Sequence, residues 1–402
     1  MRLLNVDTLE LESFNSKPPR YAILSHVWGA EKNEVKFEDL PGVKSRIQQL
    51  LHRRIGGGGA ALMEGKVSVN GVSKIAGACI QAKRADPAPL QYIWNDTCCI
   101  DKSSQADVAE SIRSMFDFYA ESEVCFVHLA DVTGTAKSDD HDNIHSQIQH
   151  SRWFTRGWTL QELLAPRKLL FFNHNWQALG DQHALAQTIQ AATNISRHHL
   201  LTDFRSASVA TKLSWASRRQ TSRVEDRAYS LFGVLGVSMF IDYGEREKAF
   251  QRLQRTILEN SRDESIFAWT SPGQLTSSGL LAPSPECFAG SANVVSSYEK
   301  NKPRPPHRIV MDALEFWVPA GHNDQDALAS MLKSKFKKNM DVTLNCWEPS
   351  PTGDGMRAIR LVFKKESGRW RRVNCSGFGY SKKVPGPSIM MIKQYTELYL
   401  DL

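Results

Sequence analysis

The sequence predicts an α/β protein built on a doubly wound parallel sheet, with an appended helical segment and a β-rich C-terminal domain. Three observations carry this prediction. Over residues 1–180, short apolar runs alternate with amphipathic helical patterns, and such alternation folds as a parallel sheet with helices on both faces. Residues 181–270 read as helix. From Ser271 the composition shifts to Ser, Pro and Gly, then to short alternating segments such as RIVMDALEFWV and AIRLVFKK, which sets residues 271–402 apart as β-rich.

In chain order, YAILSHVWG at residues 21–29 begins as a buried strand and ends in a polar turn. Ser25, His26 and Trp28 therefore fall at the carboxyl end of the strand, where open α/β sheets hold ligands. A histidine satisfied inside the fold is the plainer reading of His26. A helical pattern over residues 38–51 leads into IGGGGAALMEGKVSVNG, whose run of glycines cannot hold a helix, so residues 54–72 read as a flexible insertion. Those glycines lack the preceding strand and the following Lys-Ser or Lys-Thr of a phosphate loop.

A helix over residues 73–84 comes next, then a strand at residues 91–94 that ends at Asn95 and Asp96. Ser103 or Ser104 can cap the following helix, whose apolar stripe is Val108, Ile112, Met115, Phe116 and Tyr119. VCFVHL at residues 124–129 is a third strand. The loop expected over residues 133–150 contains DDHDNIH; acidic, His-bearing loops are ordinarily solvated, and no metal is expected.

Residues 158–164, WTLQELL, form a short helix stopped by Pro166 and followed by a buried strand at residues 168–172. Trp158 and Glu162 stand four apart, which sets an indole and a carboxylate on one helix face. Three readings stay open: a reactive carboxylate, a capping box formed by Thr159 and Glu162, or a buried ion pair with Arg223 or Arg227. Trp158 could equally be core. Those two arginines belong to SRRQTSRVEDR, where they share a helix face and could clamp a phosphate or carboxylate, or pair with nearby acids such as Glu225 and Asp226.

The totals bound the function. At 402 residues the chain holds two or three domains' worth of sequence, and its apolar fraction of 41% suits a globular protein. Its longest nearly apolar run, residues 231–241, is far short of the ~20 residues that span a bilayer, and MRLLNVDTLELE does not read as a secretory signal. Seven cysteines without regular spacing point to a reducing, cytoplasmic setting. Residues 301–402 carry 17 Lys/Arg against 10 Asp/Glu, so the net charge of +7 resides there. Without a binding motif, its basic clusters read as solvated sheet edges, and nucleic acid is not expected as a partner.

Taken together, YAILSHVWG, YIWNDTCCIDK, VCFVHLADV, SRWFTRGWTLQELLAP, SWASRRQTSRVEDRAYSLFGVLGV, YGEREKAFQRLQ and SIFAW closely resemble, in order, the HET (heterokaryon incompatibility) domain of filamentous fungi. One departure is Arg246 in YGER, where the family usually has glycine. The resemblance implies regulated cell death in fungal non-self recognition, with self-association and an incompatibility or receptor partner. More distantly, the strand order and the Trp-x-x-x-Glu-Leu helix are similar to TIR domains, which have a flavodoxin-like sheet.

That second resemblance implies a TIR-like core over residues 1–180, with Glu162 as the residue that cleaves NAD. NAD would be substrate, and no resident cofactor is implied. Ser25, His26, Trp28, Asp96, Trp158, Arg223 and Arg227 are then the expected pocket residues. The alternative is a non-enzymatic interaction and signalling module whose β-rich tail senses or restrains the HET domain.

Overall fold

The computed structural model describes residues 1–55, 71–135, 141–271, 273, 277–296, 308–310, 313–315, 339–351, 355–366, 369–373 and 375–381. Most of the glycine-rich insertion lies outside them, as does one of the basic clusters of the C-terminal region, the four lysines within residues 333–338. Contacts divide the chain into two compact units. The first comprises residues 1–204, 219–221 and 229–236, and the second residues 205–218, 222–228 and 237–402.

The first unit is a seven-stranded sheet flanked by helices. In chain order its elements are β1 (Arg2–Asn5), β2 (Leu11–Ser13), β3 (Tyr21–His26), α1 (Leu40–Ile55), α2 (Gly71–Lys83), β4 (Tyr92–Trp94), α3 (Gln105–Ala120), β5 (Val124–His128), α4 (His141–Gln149), α5 (Thr159–Leu164), β6 (Leu169–Phe172), β7 (Ala178–Asp181), α6 (Ala186–Thr193) and α7 (Arg197–Leu201). The sheet order is β2-β1-β4-β3-β5-β6-β7. The four strands read from the sequence form its parallel centre, β4-β3-β5-β6. The edges are antiparallel: β1 pairs with β4 and β2, and β7 with β6. Residues 1–13 and 178–181 gave no strand signal because each strand is only three or four residues long.

The apolar run of β3 is buried at every position, as a strand covered on both faces must be. Because successive side chains point to opposite faces, β3 separates its two layers. Ser25 meets α5 and the preceding turn on one face, while His26 lies near Glu34, the partner of Lys74 on α2, on the other. Strand order reverses at β3, since β4 and β5 flank it on either side. Ser104 caps α3 by accepting the Asp107 N–H, as its position suggested.

Two glycines permit close helix packing within this unit. A Cβ on Gly77 of α2 would lie 2.1 Å from the Trp176 indole nitrogen, and one on Gly233 would lie 2.0 Å from the Phe116 ring. The expected loop over residues 133–150 is corrected in part: residues 141–149 form α4, buried through Ile144 and Ile148, with His145 hydrogen-bonded to Thr188 at 2.7 Å. Its polar composition masked two apolar residues at helical spacing.

The second unit combines helices and a six-stranded antiparallel sheet whose long strands are Asn339–Pro349 and Met356–Glu366. Buried Arg372 donates to the Phe267 and Trp269 carbonyls at 3.2 and 2.6 Å and lies over the Trp269 ring. The Trp269 indole donates to the Leu280 carbonyl, and Gln254 of the helix Lys248–Asn260 exchanges hydrogen bonds with Ala282. No described helix is long and apolar enough to cross a membrane.

Candidate functional site

Glu162 is enclosed on the α5 side of the sheet. Its carboxyl accepts a 2.5 Å hydrogen bond from the Ser25 hydroxyl, which in turn accepts the Trp153 indole N–H at 2.8 Å. The Tyr119 hydroxyl has two acceptors within reach of its single proton, the Glu162 carboxyl and the Leu24 carbonyl, the latter at 3.2 Å. Burial raises the Glu162 pKa from its ordinary 4.5 to about 8. The Ser25 and Tyr119 hydrogen bonds and the Arg156 charge oppose that rise, while the Asp96 charge adds to it. At neutral pH this carboxyl is mostly neutral.

The capping-box alternative does not describe Glu162. α5 begins at Trp158 without a side-chain cap, and the Thr159 hydroxyl donates to the Trp153 and Arg156 carbonyls instead. Trp158 is half-buried at that start. The indole tied to Ser25 belongs to Trp153, five residues earlier, which the helical spacing of Trp158 and Glu162 overlooked. Tyr119 was assigned to the apolar stripe of α3, yet a buried tyrosine hydroxyl calls for a partner, and that signal was available.

Arg219 is the buried arginine of this neighbourhood. Its guanidinium donates to the Arg156 carbonyl and the Thr159 hydroxyl, both at 2.9 Å. Burial lowers its pKa to about 9, opposed by the charge of Glu162. It arrives on residues 219–221, which dock through the Gly157 N–H to Gln220 carbonyl bond at 2.8 Å and its counterpart from Gln220 N–H to Thr155 at 2.7 Å. Gly157 is required there, because a Cβ would sit 2.4 Å from Thr221.

Arg223 and Arg227 belong to the second unit, each with a partner in it. Arg227 pairs with Glu286 at 3.0 Å, and Arg223 lies over the Tyr243 ring. The neighbouring acids fix the YGER loop: Glu225 accepts the Gly244 and Arg246 N–H groups at 2.8 and 3.1 Å, and Asp226 accepts the Tyr243 hydroxyl at 2.8 Å. Arg246 adopts φ 53°, the left-handed region that glycine favours.

The other face of β3 holds His26, whose side chain is 1% exposed. Its Nε2 lies 3.8 Å from Glu34 and its Nδ1 4.0 Å from Asp96. Glu34 receives the Lys74 ammonium at 2.5 Å and the Gly29 N–H at 2.6 Å, and Lys74 also donates to the Val27 carbonyl. Burial pushes the Glu34 carboxyl up, but His26 and Lys74 together hold it at about 2. The Trp28 indole donates to Asp96 at 2.7 Å, with the Lys102 ammonium over its ring. A lysine within the apolar stretch GVSKIAGACI was the available signal for a buried ion pair on α2.

Beside His26 in the pairing register, buried His128 stacks on Trp176 with ring centroids 4.7 Å apart. Burial lowers its pKa to about 3, opposed by the His174 carbonyl and assisted by the charges of Lys74 and His26. The carboxyl ends of β3 and β4 thus present Ser25 with Glu162 on one side and His26, Glu34, Asp96 and Trp28 on the other.

Residues 21–140 match the family model described as heterokaryon incompatibility protein (HET). The chain is 38% identical over 281 residues to vegetative incompatibility protein HET-E-1 of Podospora anserina. That similarity covers 67% of this chain and 18% of the relative, so the chain spans less than a fifth of that protein's length. No solved structure matches it. The ordered motifs from YAILSHVWG onward, the family match and the identity to HET-E-1 agree, and the chain carries a HET domain.

Proposed function

We propose that this chain acts in vegetative (heterokaryon) incompatibility, the role named in both matches, and that its HET domain kills by cleaving NAD on a TIR-like core, with Glu162 as the acting carboxyl. One observation carries the chemistry. A carboxyl group is enclosed with a serine hydroxyl at the carboxyl end of β3, where the strand order of a doubly wound sheet reverses. When the nicotinamide–ribose bond breaks, nicotinamide leaves with the bonding electrons and positive charge develops on the ribose. A nearby carboxylate stabilises that charge until water adds to the ribosyl carbon and releases a proton.

The acting form is the ionised one. With the Glu162 pKa at about 8, turnover rises with pH until that group is ionised. Self-association and an incompatibility partner complete the proposal, with the β-rich region sensing or restraining the HET domain.

NAD loss in purified full chain and in expressing cells tests this reading. Wild type should deplete NAD, and Glu162→Gln should be slower by about a hundredfold or more. A second reading is favoured by the enclosure of Glu162 by Ser25 and Tyr119: a non-enzymatic interaction module in which the carboxyl is structural. If wild type kills cells while NAD stays constant, that second reading replaces the first.

A further inference from the structure

Among the described residues, three polar atoms enclosed around the His26 ring lack hydrogen-bond partners: His26 Nε2, Glu34 Oε2 and Asp96 Oδ1. The side chains of His26 and Glu34 are 1% and 5% exposed, so bulk water does not satisfy them. Leaving such groups unpaired is costly, and a cluster of them calls for a ligand or a bridging group. The gaps of 3.8 and 4.0 Å exceed hydrogen-bond length. A hydroxyl oxygen about 2.8 Å from both sides of either gap would donate to the carboxylate and meet the imidazole.

The remaining valences of these acids are already committed. Glu34 Oε1 is held by Lys74 and Gly29, and Asp96 Oδ2 by Trp28. The ion pair therefore fixes the loop that follows β3, and with it the free carboxylate oxygen. Close passage of this loop over α2 is permitted by Gly71, where a Cβ would lie 2.4 Å from the Val35 nitrogen.

The rim of the cluster has the opposite character. The Lys102 ammonium sits 3.4 Å from the centroid of the Trp28 ring, which is 38% exposed, and the charge of Lys36 reaches Lys102. Hydroxyl acceptors are thus recessed beneath a cationic, aromatic edge. A phosphate suits the lysines, and sugar hydroxyls suit the acceptors.

We propose that His26, Glu34 and Asp96 hold the hydroxyls of a phosphorylated ribose while Lys102 holds its phosphate, making this the sugar-phosphate subsite of a nucleotide-binding cleft. The inference deepens the NAD reading and rests on it for the identity of the cleft, but its readout is binding without turnover.

Calorimetric titration of the full chain with ribose 5-phosphate, and with ribose as the uncharged control, tests it. Ribose 5-phosphate should bind, and ribose should bind more weakly. Lys102→Met and Asp96→Asn should each weaken ribose 5-phosphate by about tenfold or more. Lys102 is exposed, so its variant should melt like wild type, which keeps the test meaningful if Asp96→Asn misfolds. The proposal is overturned if wild type gives no heat at millimolar ligand, or if Lys102→Met binds as wild type does. Binding without NAD loss would sink the hydrolase reading alone. NAD loss with ribose 5-phosphate binding indifferent to Lys102 would sink this subsite alone.

Discussion

Glu162 makes the stability of the fold depend on pH in an uncommon direction. Its folded pKa, about 8, lies above its ordinary 4.5, so the folded state prefers the proton. The stability it contributes is complete below pH 4.5 and is lost as pH rises to about 8. Glu162→Gln keeps the shape without the titration. Chemical denaturation at pH 5 and pH 8 should show wild type weakening more than the variant over that interval, by on the order of a few kcal/mol. Equal weakening of both proteins would show that the carboxyl is not held neutral.

Glu34 and His128 act at the acidic end. Glu34, held at about 2, contributes stability above pH 4.5 that fades as pH falls toward 2. His128 is buried neutral, and protonating it opposes folding between pH 6.5 and about 3. Arg246 is a different case. Its left-handed backbone is exposed, so little side-chain contact depends on it. Arg246→Gly should raise stability by about 1 kcal/mol, read as a shift in urea midpoint. A fall would mean that its side chain matters more than its backbone.

At the scale of elements, α2 packs as closely as it does because Gly77 meets the Trp176 ring. Gly77→Ala should destabilise the first unit by about 1–3 kcal/mol, since the indole is fully buried and has nowhere to retreat. Thermal unfolding followed by tryptophan fluorescence would register this, and an unchanged midpoint would refute it. The parallel strands were legible because β3, β5 and β6 are apolar runs bounded by polar turns. The antiparallel edges were not, because short strands owe their existence to the neighbours that they pair with.

The candidate site was partly legible. The expectation that Ser25 lies beside Glu162 comes from the TIR resemblance, not from strand and helix order alone. Trp153 could not be placed, since it sits in a turn whose direction no periodicity encodes; Lys74 stands out as a charge in an apolar helix, but its partner Glu34 lies forty residues away. Alternation along β3 decided another point. Ser25 and His26 are adjacent in sequence and therefore face opposite layers, a constraint that a list of neighbouring pocket residues obscures.

At the scale of the molecule, residues beyond 270 are built into the second unit. Arg372 caps Phe267 and Trp269, and Leu280 and Ala282 satisfy Trp269 and Gln254. A chain ending at residue 270 should lose cooperative unfolding of this unit and bind a hydrophobic dye, and a sharp native-like transition would contradict that. Deletions meant to ask whether the tail restrains killing are better replaced by point changes on the tail's exposed surface.

The chain also passes between the two units repeatedly, because residues 219–221 and 229–236 return to the first after residues 205–218 have entered the second. During synthesis the first unit cannot be finished until Gly236 has left the ribosome. Until then the turn at Gly157 waits for Gln220, and Phe116 waits for Gly233 on the short helix Phe232–Leu235. For a protein whose family is named for incompatibility, a late completion step would keep a partly made chain from adopting its finished HET fold. Any transplant of the module into another protein would need to carry the sequence at least that far.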